Sequence, residues 1–541
     1  MKYVYAKRIV DANNVENSEA FLIEKTLQIG LNEKNLVILR GKAHVILDFG
    51  KELSGGARIL THAAGGKKTV RLRFGESVSE TCSESTARGY GFSTNDHSNR
   101  DFYVDLQNYS DMTFAQTGFR FLRIDTTDEN AEIRIKTVVA AVDTDEREAL
   151  GSFTCDDPLV NQIWDTAAYT IRLCLQNGYF WDGIKRDRLV WIGDLYPEMR
   201  AAHCLFGDVI ETENSLEYAK AEAPLPVWMN NIATYSLWWL IILADEYLYS
   251  GDKEKFLVHL PYIKDLLQQI SDHVNADGST SYGWDFIDWP SCYVDGAPEQ
   301  KRLDSACGVG YLTKVAMQKI QPFLMACKED ISLCKDILAR LDKKERTVGQ
   351  YKQIAAIGVW SGEKTENNKE VLLRDGAKGL STFMSYPILT SVAEYGEYET
   401  ALNMMKEFYG GMLSVGATTF WEDFDLDWLE NCGRIDEMHE EGKVDIHGDK
   451  GAHCYVGFRH SLCHGWSAGV IPYIVETVAG IHLDGVGGKK LRIAPRLSGL
   501  KHVKVDYPTV YGIVTVEHTL QENGEIKTLV FAPQEIEVVV E

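Results

Sequence analysis

Asp156-Asp157-Pro158-Leu159-Val160-Asn161-Gln162-Ile163-Trp164-Asp165-Thr166-Ala167 is where the chain changes character. A carboxylate just before a proline is a helix start: the side chain accepts from free N–H groups of the first turn, and proline lacks the N–H that would go unpaired. Leu159, Ile163, Ala167, Ile171 and Leu175 follow at spacings of four, which places them on one helical face. Further helical patterns fall at 193–206, 232–250, 254–275, 304–327, 331–353, 396–409 and 463–479. Upstream, the segments 45–50, 57–61, 69–74 and 119–124 are short, alternating and β-rich. Ser54-Gly55-Gly56 and Gly65-Gly66-Lys67-Lys68 separate them as turns, which suggests an antiparallel sandwich. After Ala479-Gly480 the segments 490–495, 503–507 and 514–518 are again strand-like. The expected order is an N-terminal β-sandwich over 1–148, a helical domain over 149–479 and a C-terminal β-sandwich over 480–541. No repeat of about 34 or 40 residues is visible, so a solenoid is not supported and a closed toroid of paired helices is the alternative.

Composition bounds the function. The chain has 541 residues, 56 Lys+Arg against 79 Asp+Glu, and a net charge of −23. It exceeds the ~250–300 residues at which single cores stop growing. The acidic balance argues against nucleic acid and against an anionic membrane surface, and suits a small neutral substrate. Hydrophobic residues at 45% and charged residues at 25% exclude disorder. The 11 Cys include no CxxC pair, so reduced thiols are expected. The first ten residues carry no apolar h-region, and no apolar run is long enough to span a bilayer, so a cytoplasmic protein is expected, with a homodimer compatible. All 12 Trp lie between Trp164 and Trp466, which points to the helical domain as the site.

Two segments concentrate chemistry. Trp181-Asp182-Gly183-Ile184-Lys185-Arg186-Asp187-Arg188-Leu189-Val190-Trp191-Ile192-Gly193-Asp194 mixes carboxylates, cations and Trp between glycines. A carboxylate beside Arg is held acidic and one against Trp is raised, so either gives a tuned group. A solvated loop whose charges pair with one another is the plain alternative. Gly416-Ala417-Thr418-Thr419-Phe420-Trp421-Glu422-Asp423-Phe424-Asp425 places a carboxylate directly after an aromatic, as a sugar site would: the ring stacks on C–H surface and the carboxylate takes a hydroxyl or activates water. Trp284-Asp285-Phe286-Ile287-Asp288-Trp289 repeats the aromatic and acidic mixture. A core role is the alternative for any single Trp. His460 and His464 stand four apart and would share a side of a helix. They lack the Glu of HExxH and a third ligand, so a hydrogen bond to a hydroxyl or a core role is favoured over zinc. Neither a phosphate loop nor a nucleophile elbow is present, and no metal and no cofactor are expected.

In order and content these motifs resemble glycoside hydrolase family 78, the bacterial α-L-rhamnosidases. Asp182, Arg186, Asp187, Trp191 and Asp194 match that family's acid-bearing loop, and Thr419-Phe420-Trp421-Glu422 matches its Thr-x-Trp-Glu stretch. Ser461-Leu462-Cys463-His464 is similar to its Ser-Leu-x-His stretch. The resemblance spans about 45–541. It implies a multidomain α and β protein in which an (α/α)6 toroid is flanked by antiparallel β-sandwich domains. It implies inverting hydrolysis of terminal non-reducing α-L-rhamnosides, with Asp187 as general acid and Glu422 as general base, standing roughly 6.5–9.5 Å apart. The family usually has Glu as the acid, so Asp187, one methylene shorter, must bring its backbone closer. Asp182, Arg186 and Asp194 would bind sugar hydroxyls. Trp191, Trp289 and Trp421 would line the apolar face, with Asp288 and His464 completing the site. Asp187 must be protonated near neutral pH, so burial against aromatic surface has to outweigh the nearby Arg charge; Arg186 and Arg188 oppose this unless they are turned toward Asp182 and Asp194. Rival readings are another glycosidase on the same toroid, such as a uronide hydrolase, a sugar-binding relative without catalysis, and a purely structural protein.

Overall fold

The computed structural model describes residues 2–63, 68–84, 100–294 and 296–541. Asp157 begins the first long helix, Pro158–Cys174, by accepting from Leu159 N at 2.9 Å, with Pro158 at the first helical position. Ile163, Ala167 and Ile171 are buried on its inner face, as the spacing predicts.

The N-terminal strands Lys2–Tyr5, Arg8–Glu16, Val37–Thr61, Thr69–Gly75, Asp101–Asp105, Asp111–Thr126 and Glu132–Val142 form one sheet. Its spine is the 25-residue strand Val37–Thr61, which pairs with Arg8–Glu16, Asp111–Thr126 and Glu132–Val142. Ser54-Gly55-Gly56 is therefore not a turn. The strand runs through it with a register shift, and the glycines admit close crossings: a Cβ on Gly55 would stand 2.1 Å from Ala141 O, and one on Gly56 2.2 Å from Ala115 O. Most pairings are antiparallel, but Val37–Thr61 runs parallel to Glu132–Val142. Of the second expected turn, Gly65, Gly66 and Lys67 lie outside the described residues.

The helical part differs in detail from the sequence pattern. The 331–353 stretch breaks after helix Ser332–Leu341, and a new helix runs Lys352–Trp360. Segment 463–479 is a 3-10 turn at Gly465–Gly469, an α turn at Val470–Tyr473 and a π turn at Ile474–Val478. Helices Ile192–Phe206, Ala233–Ser250, Glu299–Ala326, Lys352–Trp360, Ser385–Glu394 and the turn Val470–Tyr473 each pack on the next, and the last packs on the first. Trp164, Trp238, Trp239, Trp421 and Trp466 are buried in this core, so much of the Trp enrichment reports packing rather than a sugar pocket. Among the described residues no helix is long and apolar enough to cross a membrane.

Two sheets close the chain. Ser152–Cys155, just before the first long helix, is the edge strand of a sheet continued by His502–Thr509, Gly512–Leu520 and Ile526–Phe531. Ile481–Leu483, Lys490–Ile493 and Glu537–Val540 form the other, in which the last two strands run parallel. The helical part is thus stitched at both chain ends to one sheet. We expect Asp157→Ala, which removes the first cap, to lower the unfolding free energy by about 1 kcal/mol. An unchanged chemical-denaturation midpoint would contradict that role.

Candidate active site

The loop that enters helix Ile192–Phe206 is folded by its own backbone. Asp182 N donates to Leu189 O at 3.1 Å, and Leu189 N returns a bond to Asp182 Oδ1 at 2.9 Å. Gly183 forms a bridge with His464, and a Cβ on it would stand 2.9 Å from Cys463 O, so this position needs glycine's small volume. Asp187 and Arg188 are both left-handed, with φ 55° and 54°. Non-glycine residues rarely hold that conformation unless their surroundings enforce it. The loop is not a solvated one: Asp182, Lys185 and Arg186 are buried.

Thr419–Glu422 lies along Ser461–His464. Thr419 Oγ1 donates to Leu462 O at 2.6 Å, His464 N to Phe420 O at 3.0 Å and Glu422 N to Ser461 O at 3.0 Å. This extended course separates the two histidines that a helix would have aligned. His460 turns inward, where its Nε2 accepts from Asp423 N at 3.0 Å, and burial pulls its pKa down to about 3. His464 faces the carboxylates, its Nε2 standing 3.4 Å from Glu422, 3.7 Å from Asp182 and 3.8 Å from Asp194. The pair cannot share a zinc ion.

Arg186 is the centre of the arrangement. Its Nε donates to Arg459 O at 2.8 Å, one Nη stands 2.7 Å from Asp187 Oδ1, and the other donates to Glu422 Oε1. The turn of Arg186 and Arg188 toward Asp182 and Asp194, which would have relieved Asp187 of their charge, is therefore not made. Arg188 instead donates to Ile184 O at 3.1 Å and Gln116 O at 2.5 Å, because the left-handed turn carries its side chain toward the N-terminal sheet. Burial would raise the Glu422 carboxyl, but Arg186 and then His464 hold it well below the usual carboxylate range. Its Oε2 also accepts from Ser461 N at 3.1 Å. Burial pushes Asp182 and Asp194 well above that range, and each is raised further by neighbouring carboxylates. Asp194, in the first turn of its helix, accepts from Tyr235 Oη at 3.2 Å. Within one cluster, environment thus drives carboxyl groups in opposite directions.

Trp289, Tyr455, Tyr235 and Trp191 stand around this cluster. Trp289 Nε1 donates to Tyr455 Oη at 2.6 Å, Arg186 lies over the Tyr455 ring at 5.4 Å, and Trp191 meets Tyr235 edge to face at 6.1 Å. Asp288 accepts from Trp289 N at 2.8 Å and from Ser381 Oγ, and burial pushes it up to about 7. Trp421 is the exception among the expected ring residues. It is 0% exposed, packs edge to face on Phe424 and His460, and has no surface to offer a sugar. Its neighbour Asp423 carries more chemistry: it is buried and pushed up to about 7 by burial and by the nearby Asp288 and Glu422.

Tyr235, Tyr455, Asp423, Ser461 and Lys185 escaped the sequence reading. Lys185, Asp423 and Ser461 sit inside the quoted motifs without a role assigned to them; Lys185 stands beside Arg186 and Asp423 beside Glu422, and that adjacency was the only signal for these two. Among the described residues, Glu76, Glu80 and His447 have ligand-type atoms within 4.8 Å of one another. A cation already stands there: Lys185 Nζ is 3.1 Å from each glutamate and 3.3 Å from His447 Nε2. A cavity of about 750 Å³ lies elsewhere, toward the opposite ends of the same helices, lined by residues including Arg200, Asp245, Glu476 and His482. Its central charges neutralise one another, with Arg200 and Lys319 each 2.7 Å from Asp245, so volume and chemistry do not coincide.

Comparison with known proteins bears on the fold. Residues 148–318 match the family described as the bacterial alpha-L-rhamnosidase six-hairpin glycosidase domain. The search of curated proteins gave no match. A GH78 family rhamnosidase of Bacillus sp. GL1 superposes with a TM-score of 0.73 at 20% identity, over 94% of this chain and 55% of that one. The Streptomyces avermitilis alpha-L-rhamnosidase complexed with L-rhamnose gives 0.67 at 14% identity, over 100% and 50%. A Klebsiella oxytoca rhamnosidase with rhamnose bound gives 0.64 at 19%, over 81% and 88%. The chain spans about half the length of the first two. It therefore has the fold of the family 78 α-L-rhamnosidases, and its residues 148–318 match their six-hairpin glycosidase domain.

Proposed function

We propose that this protein is a glycoside hydrolase that removes terminal non-reducing α-L-rhamnosyl groups with inversion. The observation that carries the reading is the Arg186 guanidinium in contact with both Asp187 and Glu422. One guanidinium thus gathers two carboxyl groups that lie far apart in sequence, the pair that inverting hydrolysis needs. The rhamnose reported in the Streptomyces avermitilis and Klebsiella oxytoca structures supports the sugar class. The ring of helices, each packed on the next, supports the toroid.

Glu422 is the base in this reading. It stays ionised far below neutrality and draws the proton from water as the water attacks the anomeric carbon. Asp187, on the partly exposed turn, donates to the leaving oxygen. Asp182, Asp194 and His464 bind hydroxyls, with Trp289 and Trp191 against the apolar face. The charge pattern also speaks against a uronide. Arg186 is already committed to Asp187 and Glu422, and an added anion would face the ionised Glu422 beside it.

An aryl-glycoside panel tests the substrate: cleavage of the α-L-rhamnoside over the uronides is expected, and the reverse preference would reject the proposal. Asp187→Asn and Glu422→Gln should each lower turnover at least about 100-fold. Turnover near wild type in either variant would reject that residue's role, whereas sugar binding in a wild-type protein without turnover would indicate a non-catalytic relative.

Asp288 adds a pH signature. The folded protein holds its proton up to about 7, whereas an unfolded Asp loses it near ~3.9. Its contribution to stability therefore falls as pH rises across that window. Asp288→Asn is expected to raise Tm more at pH 8 than at pH 5. An equal change at both values would show that Asp288 is not held neutral by burial.

A further inference from the structure

The catalytic loop is anchored from outside the helical part. Lys185, next to Arg186, is 0% exposed and points away from the sugar cluster into the N-terminal module. Its Nζ stands 3.1 Å from Glu76 and 3.1 Å from Glu80, and donates to His460 O at 2.8 Å. Both glutamates belong to the segment that leaves strand Thr69–Gly75 and turns into the short helix Val78–Cys82, capped by Ser77. Glu80 accepts from Glu76 N at 2.8 Å and pairs with Arg100. Ser77 Oγ meets His447 Nδ1 at 2.7 Å, and burial holds His447 well below its ordinary pKa, so it is neutral.

Glu76 also reaches the opposite side of the site. Its Oε2 accepts from Leu462 N at 2.6 Å and its Oε1 from Ser461 Oγ at 3.2 Å. Ser461 N is a donor to Glu422, and His464 lies three residues on. One buried carboxylate therefore touches both segments that carry the working groups: through Lys185 it holds the Arg186–Asp187 turn, and directly it holds the Ser461–His464 stretch. Gly118, on strand Asp111–Thr126, packs against the same loop so closely that a Cβ would stand 2.8 Å from Lys185 N.

We propose that Lys185 and Glu76 are positioning residues, and that the N-terminal module sets the separation of Asp187 and Glu422. This rests on the function proposed above. Misplacing a reacting group by about 1 Å can cost about 100-fold in rate, so a buried clamp one residue from the acid turn has leverage far beyond its contribution to stability. Lys185→Met removes the buried cation that stands between the two glutamates. Glu76→Gln combined with Lys185→Met restores the charge balance without restoring the clamp.

The two roles separate in that pair of variants. With an aryl α-L-rhamnoside, Lys185→Met is expected to lower both Tm and kcat, the latter about 100-fold, with KM changed far less. The double variant should recover much of the Tm but not kcat. Recovery of kcat together with Tm would show a merely structural pair and overturn the proposal. Hydrogen exchange of residues 182–191 and 460–464 gives a readout independent of turnover: faster exchange there in both variants is expected, and unchanged exchange in the double variant would overturn it. If the wild type cleaves no glycoside, the functional reading fails and the exchange result alone decides whether the module holds the loop. If Lys185→Met does not fold, Glu80→Gln takes its place, with faster loop exchange and reduced kcat expected, and wild-type values for both contradicting the clamp.

Discussion

One guanidinium organises the site. Arg186 is buried, and a buried cation is tolerated only when its charge and its donors are met. Asp187, Glu422 and the Arg459 carbonyl meet them. The sharing has two consequences. Glu422, with His464 added, is driven deep into its ionised form, while Asp182 and Asp194, buried beyond direct reach of the guanidinium, are pushed the other way. Carboxyl groups packed into one cluster are thus pushed in opposite directions, as acid and base chemistry at one pH requires.

The rest of the fold serves to hold that cation and its partners in place. The groups come from the loop ahead of helix Ile192–Phe206, from Thr419–Glu422 and from Ser461–His464, segments far apart in sequence. Main-chain bonds between the last two, and the bridge from Gly183 to His464, bring them together. The N-terminal sheet then closes the back of the site with Glu76 and Glu80, while Arg120 bonds Asp48 at 2.9 Å and Gly416 O at 3.0 Å, tying the sheet to the approach to Glu422. The module boundary is consequently crossed by buried charge rather than by a loose linker, and the sheet functions as part of the site's rear wall.

How much of this the sequence disclosed depends on the range of the interaction. Local signals were readable: the Asp157-Pro158 helix start, the alternating strands and the two carboxylate motifs all express rules that act within a few residues. Signals that depend on distant partners were not. Ser54-Gly55-Gly56 looks like a turn until its strand is seen to cross two others, and the glycines prove to be needed for close approach. His460 and His464 match a helical spacing, but the backbone there is claimed by pairing with Thr419–Glu422, so the ring faces diverge. Trp421 beside Glu422 suggested a stacking platform, and packing against Phe424 and His460 took it into the core instead. Nothing in the residues around Glu76 marks it as a partner of a loop that lies on another module.

The central claim is that water attacks from the Glu422 side while Asp187 assists departure on the other. That claim has a direct stereochemical readout: the anomer of sugar first released from an aryl α-L-rhamnoside, followed by proton NMR before mutarotation. Inversion predicts β-L-rhamnose as the initial product. Initial α-L-rhamnose would require a covalent intermediate and would contradict this account of Arg186, Asp187 and Glu422.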